Sequence, residues 1–311
     1  MNETGMYDFE DPDVGLCFQL ANWYSGATIL SILLNNHPEL SSNGELMPFW
    51  DQATDSLLCS CGQNLDNCEF YRDVCGHFRI DGKYDQRIFA PFPEFSQVRA
   101  VQRLLRSFRL SPVLDRLLPN SSRYKSTIRD FISANVKLYQ NICRRDGSRV
   151  YVDGTKSIRR VDIFANYTSI PIKVLYEVRD GRKFAASYKV AQPQNGFSIE
   201  KAADLWNGYI ESVDRLIRRY PETRVLQIRH EDLCSDTQTA VKDICNFLDV
   251  TYVDRIFDFS DAEYHVLGNT MRHGFDGTVR ESSKWRDRLS NDEYDRLTTL
   301  MQPNLERFGY E

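Results

Sequence analysis

Between Val150 and Leu248 the chain alternates short apolar runs with segments of helical spacing, and that alternation narrows the possible folds more than any other feature. Val150-Tyr151-Val152 reads as a strand, Ile158 to Tyr167 as a helix, and Ile172 to Val178 (IKVLYEV) as a continuous apolar strand. Lys183 to Val190 and Ile199 to Tyr220 follow with periods of three and four, then a strand at Arg224 to Ile228 and a helix at Thr237 to Leu248. An earlier unit repeats the pattern: Val14 to Ala21 (VGLCFQLA), a turn at Asn22 to Gly26, and a helix from Ala27 to Asn36 that stops at His37-Pro38. Strands separated by helices imply an α/β fold with a doubly wound parallel sheet covered on both faces. A largely helical stretch, 51–147, reads as an insertion after the first βα unit, within a single domain spanning 1–311.

Composition mainly excludes. A formal charge of −5 offers no basic face for nucleic acid, although local basic clusters remain able to hold a small polyanion. No run approaches the ~18 apolar residues of a membrane span. The acidic stretch from Met1 to Asp13 is not followed by the basic and apolar regions of a signal peptide, so a cytoplasmic chain is expected. Of eight cysteines, Cys17, Cys143, Cys234 and Cys245 stand singly in apolar surroundings and read as buried thiols. Cys59, Cys61, Cys68 and Cys75 cluster as C-x-C-x₆-C-x₆-C. Disulfides are unusual in the cytosol, and the spacing is not a standard zinc ribbon. Loop-stabilising or inert thiols are the expectation, with structural zinc as the alternative.

Two segments carry chemistry. A strand, a tight turn and a helix form an anion site, because free backbone N–H groups and the helix dipole both face the ligand. A Walker A loop requires G-x-x-x-x-G-K-[ST], whereas here the aligned residues run Ala21-Asn22-Trp23-Tyr24-Ser25-Gly26-Ala27-Thr28. The first glycine and the lysine are missing, which argues against a Mg²⁺-dependent nucleoside triphosphatase or kinase but keeps Ser25, Gly26 and Thr28 as phosphate-cradling groups. The second segment leaves the C-terminal end of the strongest strand, where open α/β sheets bind ligands. Arg179 offers a planar fork of donors and Ser187, on the next helix, a hydroxyl. Read alone, each segment is also compatible with ordinary turn geometry and a solvated basic turn.

Together they resemble the sulfotransferase family. Its 5′-phosphosulfate loop reads approximately [KR]-S-G-T-[TS] after the first strand, and its 3′-phosphate motif pairs a strand-end Arg with a Ser eight positions later. Ser25-Gly26-Ala27-Thr28 and Arg179…Ser187 match in order and spacing. His37-Pro38-Glu39 with Gly44-Glu45, and Cys59-Ser60-Cys61-Gly62 with Cys68-Glu69-Phe70-Tyr71, resemble segments of bacterial-type members. Val152-Asp153-Gly154-Thr155-Lys156, Arg229-His230-Glu231-Asp232-Leu233, His265-Val266-Leu267-Gly268-Asn269 with Arg272, and Lys284-Trp285-Arg286 before Leu289 resemble further elements of the family.

The resemblance implies a P-loop NTPase-like fold and sulfuryl transfer from 3′-phosphoadenosine 5′-phosphosulfate (PAPS) to a hydroxyl or amine of a small-molecule acceptor, with no metal required. It implies that the 5′ groups lie against Ser25 to Thr28, and the 3′-phosphate on Arg179 and Ser187 with Arg272 and Arg280 nearby. Glu45 matches a catalytic glutamate, His37 is the alternative base, and Lys156 is the candidate lysine beside the bridging oxygen. The chain departs from the pattern at Tyr24, where members carry Arg or Lys, and at Ala27, where they carry Thr. A PAPS-binding protein with impaired catalysis is therefore the rival reading. Aromatic residues of the insertion, Trp50, Phe70, Tyr71, Phe89 and Phe92, are candidates to line the acceptor pocket.

Overall fold

Among the described residues five parallel strands form the central sheet, in the spatial order β2 (Leu40–Ser41), β5 (Val150–Asp153), β1 (Gly15–Ala21), β6 (Ile172–Val178) and β7 (Arg224–Arg229). The computed structural model describes residues 14–46, 57–80, 83–84, 93, 121–191, 196–260, 262–281 and 283–310. A separate hairpin joins β3 (Arg79–Ile80) to β4 (Lys83–Tyr84). The described helices are α1 (Ala27–Asn35), α2 (Glu69–Cys75), α3 (Ser122–Asp146), α4 (Ile158–Tyr167), α5 (Gly181–Ala191), α6 (Ile199–Arg219), α7 (His230–Ser235), α8 (Thr237–Leu248) and α9 (Asn291–Arg307).

The period-2 alternation of a strand explains why both faces are covered. In β1, Leu16, Phe18 and Leu20 point into one apolar cluster with residues of α3, α4, α6 and α9, while Cys17 points into another with α1 and α8. The sheet is thus doubly wound, as its apolar runs imply. The first cluster continues into Leu57, Cys59, Phe70 and Tyr71, so the described cysteine segment packs on the same core as the sheet. Phe70 and Tyr71 are buried there; Trp50, Phe89 and Phe92 lie outside the described residues.

Strand β1 lies between β5 and β6, and the chain passes from one side of it to the other. This switch point opens a crevice at the carboxyl ends of the strands. Ala21, the last residue of β1, pairs with Glu177 of β6, so the turn after β1 and the residue after β6 are neighbours. Trp206 of α6, 1% exposed, donates its indole N–H to the carbonyl of Arg179 at 3.1 Å and anchors that strand end.

Candidate active site

The turn Asn22–Gly26 delivers the chain into α1 through Gly26, whose φ of 94° belongs to the left-handed region. No side chain caps α1, and its first turn holds no acidic residue, so the positive end of the helix faces the crevice. A Cβ at Gly26 would fall 2.1 Å from Cε1 of His230, which closes this position to every other residue. Ser25 is 1% exposed, and its Oγ has no hydrogen-bond partner among the described residues. A buried hydroxyl at a helix start and bare first-turn amides fit an anionic ligand group.

Beneath the turn lies a buried polar support. Gln19 of β1 donates from Nε2 to the carbonyl of Ala27 at 3.0 Å and to Glu177 at 3.3 Å, and accepts from Ser31 Oγ at 2.8 Å. Glu177 also meets His230 Nδ1 at 3.2 Å, and the far nitrogen of His230 lies 3.4 Å from Cys234 Sγ. Burial works against a charged His230, but the contacts to Cys234 and Glu177 outweigh it and raise its pKa to about 9. His230 is a site residue that sequence reading missed; it occupies the second position of the turn noted at Arg229 to Leu233.

A cavity of about 650 Å³ opens above this turn. It is within the usual size of ligand sites. Tyr24, Ser25, Gly26, Ala27 and Thr28 line its floor; Arg179 and Ser187 enter from the end of β6 and from α5. Arg179 donates to the carbonyl of Tyr24 at 2.5 Å, while its Nε has no partner among the described residues. Burial lowers its pKa, more than the nearby Glu231 and Glu281 raise it. Arg280 lines the cavity too, as does Arg288, which sequence reading did not single out. Trp23, 52% exposed, and Val190, 55% exposed, give the rim an apolar wall. Among the described lining residues Glu45 is the one carboxylate, against Lys156, Arg179, Arg280 and Arg288. An acidic chain therefore presents a locally basic cavity, suited to a polyanionic ligand.

Glu45 and Lys156 share the cavity because two backbone segments approach closely. A Cβ at Gly154 would sit 2.8 Å from the carbonyl oxygen of Gly44, so glycine is what allows the end of β5 to pass next to residue 44. Asp153 accepts from the Thr155 N–H at 2.9 Å and the Thr155 hydroxyl at 2.5 Å, holding the turn that puts Lys156 at φ 60°. The Lys156 ammonium then reaches Glu45 Oε1 at 2.5 Å.

Two sequence-predicted site residues are not brought to the cavity. His37 is 2% exposed at the far end of α1, about 13 Å of helix from Gly26. Its Nδ1 accepts the Glu39 amide at 3.1 Å, which leaves the proton on Nε2 to donate to the Thr251 carbonyl at 2.8 Å. Both nitrogens hold a loop. Arg272 is 7% exposed and donates to the carbonyls of Gly268, at 2.5 Å, and Leu58, at 2.7 Å, so its guanidinium ties two backbone segments together behind the cavity wall.

A strand–turn–helix anion cradle and a strand-end arginine thus face each other across one cavity. Residues 172–254, which include Arg179, Ser187 and His230, match the model of the sulfotransferase family. The fold is similar to the sulfotransferase domain of the Synechococcus PCC 7002 olefin synthase (TM-score 0.54, 17% identity, 98% of each chain covered). It is similar also to the sulfotransferase domain of the curacin biosynthetic pathway (TM-score 0.53, 15% identity, 96% of this chain and 98% of that one). Carbohydrate sulfotransferase 1 of Danio rerio is 23% identical over 228 residues, covering 64% of this chain; the chain spans about half, 53%, of that relative's length. The sulfotransferase resemblance read from the sequence thus stands, carried by the family match over β6 to α8 and by the fold of the whole sheet.

Proposed function

We propose that the chain transfers a sulfuryl group from PAPS to a hydroxyl or amine of a small-molecule acceptor and releases adenosine 3′,5′-bisphosphate. The observation that carries this reading is the convergence of two phosphate-type sites in one basic cavity: the uncapped start of α1 with the unpartnered Ser25 hydroxyl, and Arg179 with Ser187. A nucleotide charged at both its 5′ and 3′ positions satisfies both; one charged only at the 5′ position leaves Arg179 Nε buried without a partner.

When bound, PAPS supplies an activated sulfuryl group whose S–O bond to the 5′-phosphate breaks as the acceptor bond forms. In this reading the α1 amides and Lys156 stabilise the negative charge that develops on the departing phosphate, as fixed donors do without reorganisation. In this reading Glu45 takes the acceptor's proton. Arg179 and Ser187 hold the 3′ end and so set the register of the donor.

Titration with adenosine 3′,5′-bisphosphate and with ATP tests the donor assignment. Much tighter binding of the bisphosphate is expected; equal or tighter binding of ATP overturns it. Labelled PAPS with a panel of alcohols, phenols, amines and sugars then tests transfer. Binding without transfer to any of them favours the rival reading, a catalytically impaired PAPS-binding protein, to which the Glu45–Lys156 ion pair and the Tyr24 and Ala27 departures lend support.

A further inference from the structure

Cys59, Cys61, Cys68 and His265 bring one ligand atom each into a space where all four lie within 4.8 Å of one another. The sequence grouping of four cysteines is corrected here. Cys75 is carried away at the far end of α2, and a histidine 197 residues beyond Cys68 takes the fourth place. The distances have the proportions of a single-ion cage. A tetrahedral zinc with bonds of about 2.3 Å to sulfur and 2.0–2.1 Å to nitrogen has S···S edges of about 3.8 Å and S···N edges of about 3.6 Å. Here Cys61 Sγ and Cys68 Sγ are 3.7 Å apart, and His265 Nδ1 lies 3.4 Å from both Cys59 Sγ and Cys68 Sγ.

The surroundings complete the arrangement. The other nitrogen of His265, Nε2, lies 3.4 Å from a Glu263 carboxylate oxygen, the outer partner that orients a metal-bound imidazole. The ring stacks on Phe70 at 4.5 Å with planes 12° apart, which holds Nδ1 toward the sulfurs. Cys59 and Cys68 are at most 1% exposed, and Cys61 closes the solvent side.

We propose that these four residues bind one zinc ion as a structural clamp, separate from the transfer chemistry. All four positions are filled by protein, which leaves none open for substrate. The clamp ties the cysteine segment to the stretch 265–269, which forms one wall of the cavity. That wall meets the site directly: the Glu45 N–H donates to Leu267 O at 3.1 Å, and the Asn269 N–H donates to Thr28 Oγ1 at 3.3 Å. Binding releases the protons of three thiols, so acid weakens it.

The test is elemental analysis of the full chain purified with reductant and without chelator, followed by exchange into cobalt(II). One zinc per chain is expected, with cobalt giving the visible bands and near-ultraviolet sulfur-to-metal absorption of a tetrahedral thiolate site. Cys61→Ser and His265→Ala should each lose metal, whereas Cys75→Ser, outside the four, should retain it. If the variants do not fold, stepwise thiol modification of the wild type gives the answer: zinc should be released as the first three reactive thiols are consumed. Metal-free wild-type protein without cobalt bands overturns the proposal. So does full metal retention in both Cys61→Ser and His265→Ala, or a Cys61–Cys68 disulfide in the soluble protein.

Discussion

Lys156 Nζ stands 2.5 Å from Glu45 Oε1, so a cation and a carboxylate that line the same cavity hold each other. Their side chains are 10% and 21% exposed, too enclosed for water to screen the pair fully. Neither residue acts independently of the other. In the proposed transfer, Lys156 turns toward the donor before Glu45 acts as a base, so donor binding and acceptor activation are coupled.

Lys156→Ala is expected to reduce transfer by ~10²-fold or more while donor affinity falls only a few-fold, because the lost interaction belongs to the developing charge. Glu45→Gln should reduce transfer by a similar factor, since the amide keeps the shape but takes no proton. Steady-state kinetics alongside calorimetric titration of adenosine 3′,5′-bisphosphate separates the effects. Tyr24→Lys in the Lys156→Ala background should restore part of the rate. Full activity of Lys156→Ala would remove Lys156 from the mechanism.

Arg179→Ala should weaken adenosine 3′,5′-bisphosphate by ~30–150-fold, the equivalent of ~2–3 kcal/mol for a charge-assisted fork. Adenosine 5′-phosphosulfate, which lacks the 3′-phosphate, should bind the variant and the wild type alike. Equal losses for both ligands would make Arg179 a structural residue that secures the Tyr24 carbonyl.

Gly26→Ala introduces a methyl group where His230 already stands and forces an L residue into the left-handed region. A loss of ~1–3 kcal/mol of stability is expected, together with at least tenfold weaker nucleotide binding. Thermal unfolding with and without nucleotide checks both. An alanine variant that binds normally would mean the turn tolerates a displacement of His230.

His230 makes stability depend on pH in a defined direction. Its folded pKa, about 9, lies above the ordinary value near 6.5, so its contribution is complete below about 6.5. The contribution declines as the pH rises and is lost above about 9. The unfolding midpoint should fall between pH 6.5 and 9 in the wild type, and His230→Gln should flatten that slope. An unchanged slope in the variant would assign the dependence to other groups.

The sequence made the sheet and the donor side of the cavity legible for a physical reason: both are local patterns. Ile172–Val178 and Ile158–Tyr167 fall where their spacing puts them, and Arg179 and Ser187 need only the end of one strand and the helix after it. What escaped depends on distant parts of the chain. His230 is placed by Glu177 and Gly26, and His265 by a cage whose other members lie some 200 residues earlier. Cys68 and Cys75 look equivalent in the sequence, but α2 separates its two ends by about 10 Å. Helix α9 was missed although Ser290 and Glu293 form a capping box and Leu297, Met301 and Leu305 recur every four residues; Pro303 inside it breaks the pattern by eye.

Tyr24 and Lys156 have φ of 60°, and with Asp249 they are the only non-glycine residues of positive φ among the described residues. Two of the three therefore face one cavity. Each costs ~1–2 kcal/mol relative to glycine, an expense a purely structural loop would shed by mutation. In the proposed transfer, stability and activity consequently pull in opposite directions at Lys156. A library screened for heat resistance alone should drift toward glycine or asparagine at both positions, and the active fraction of that library should shrink as Lys156 is lost.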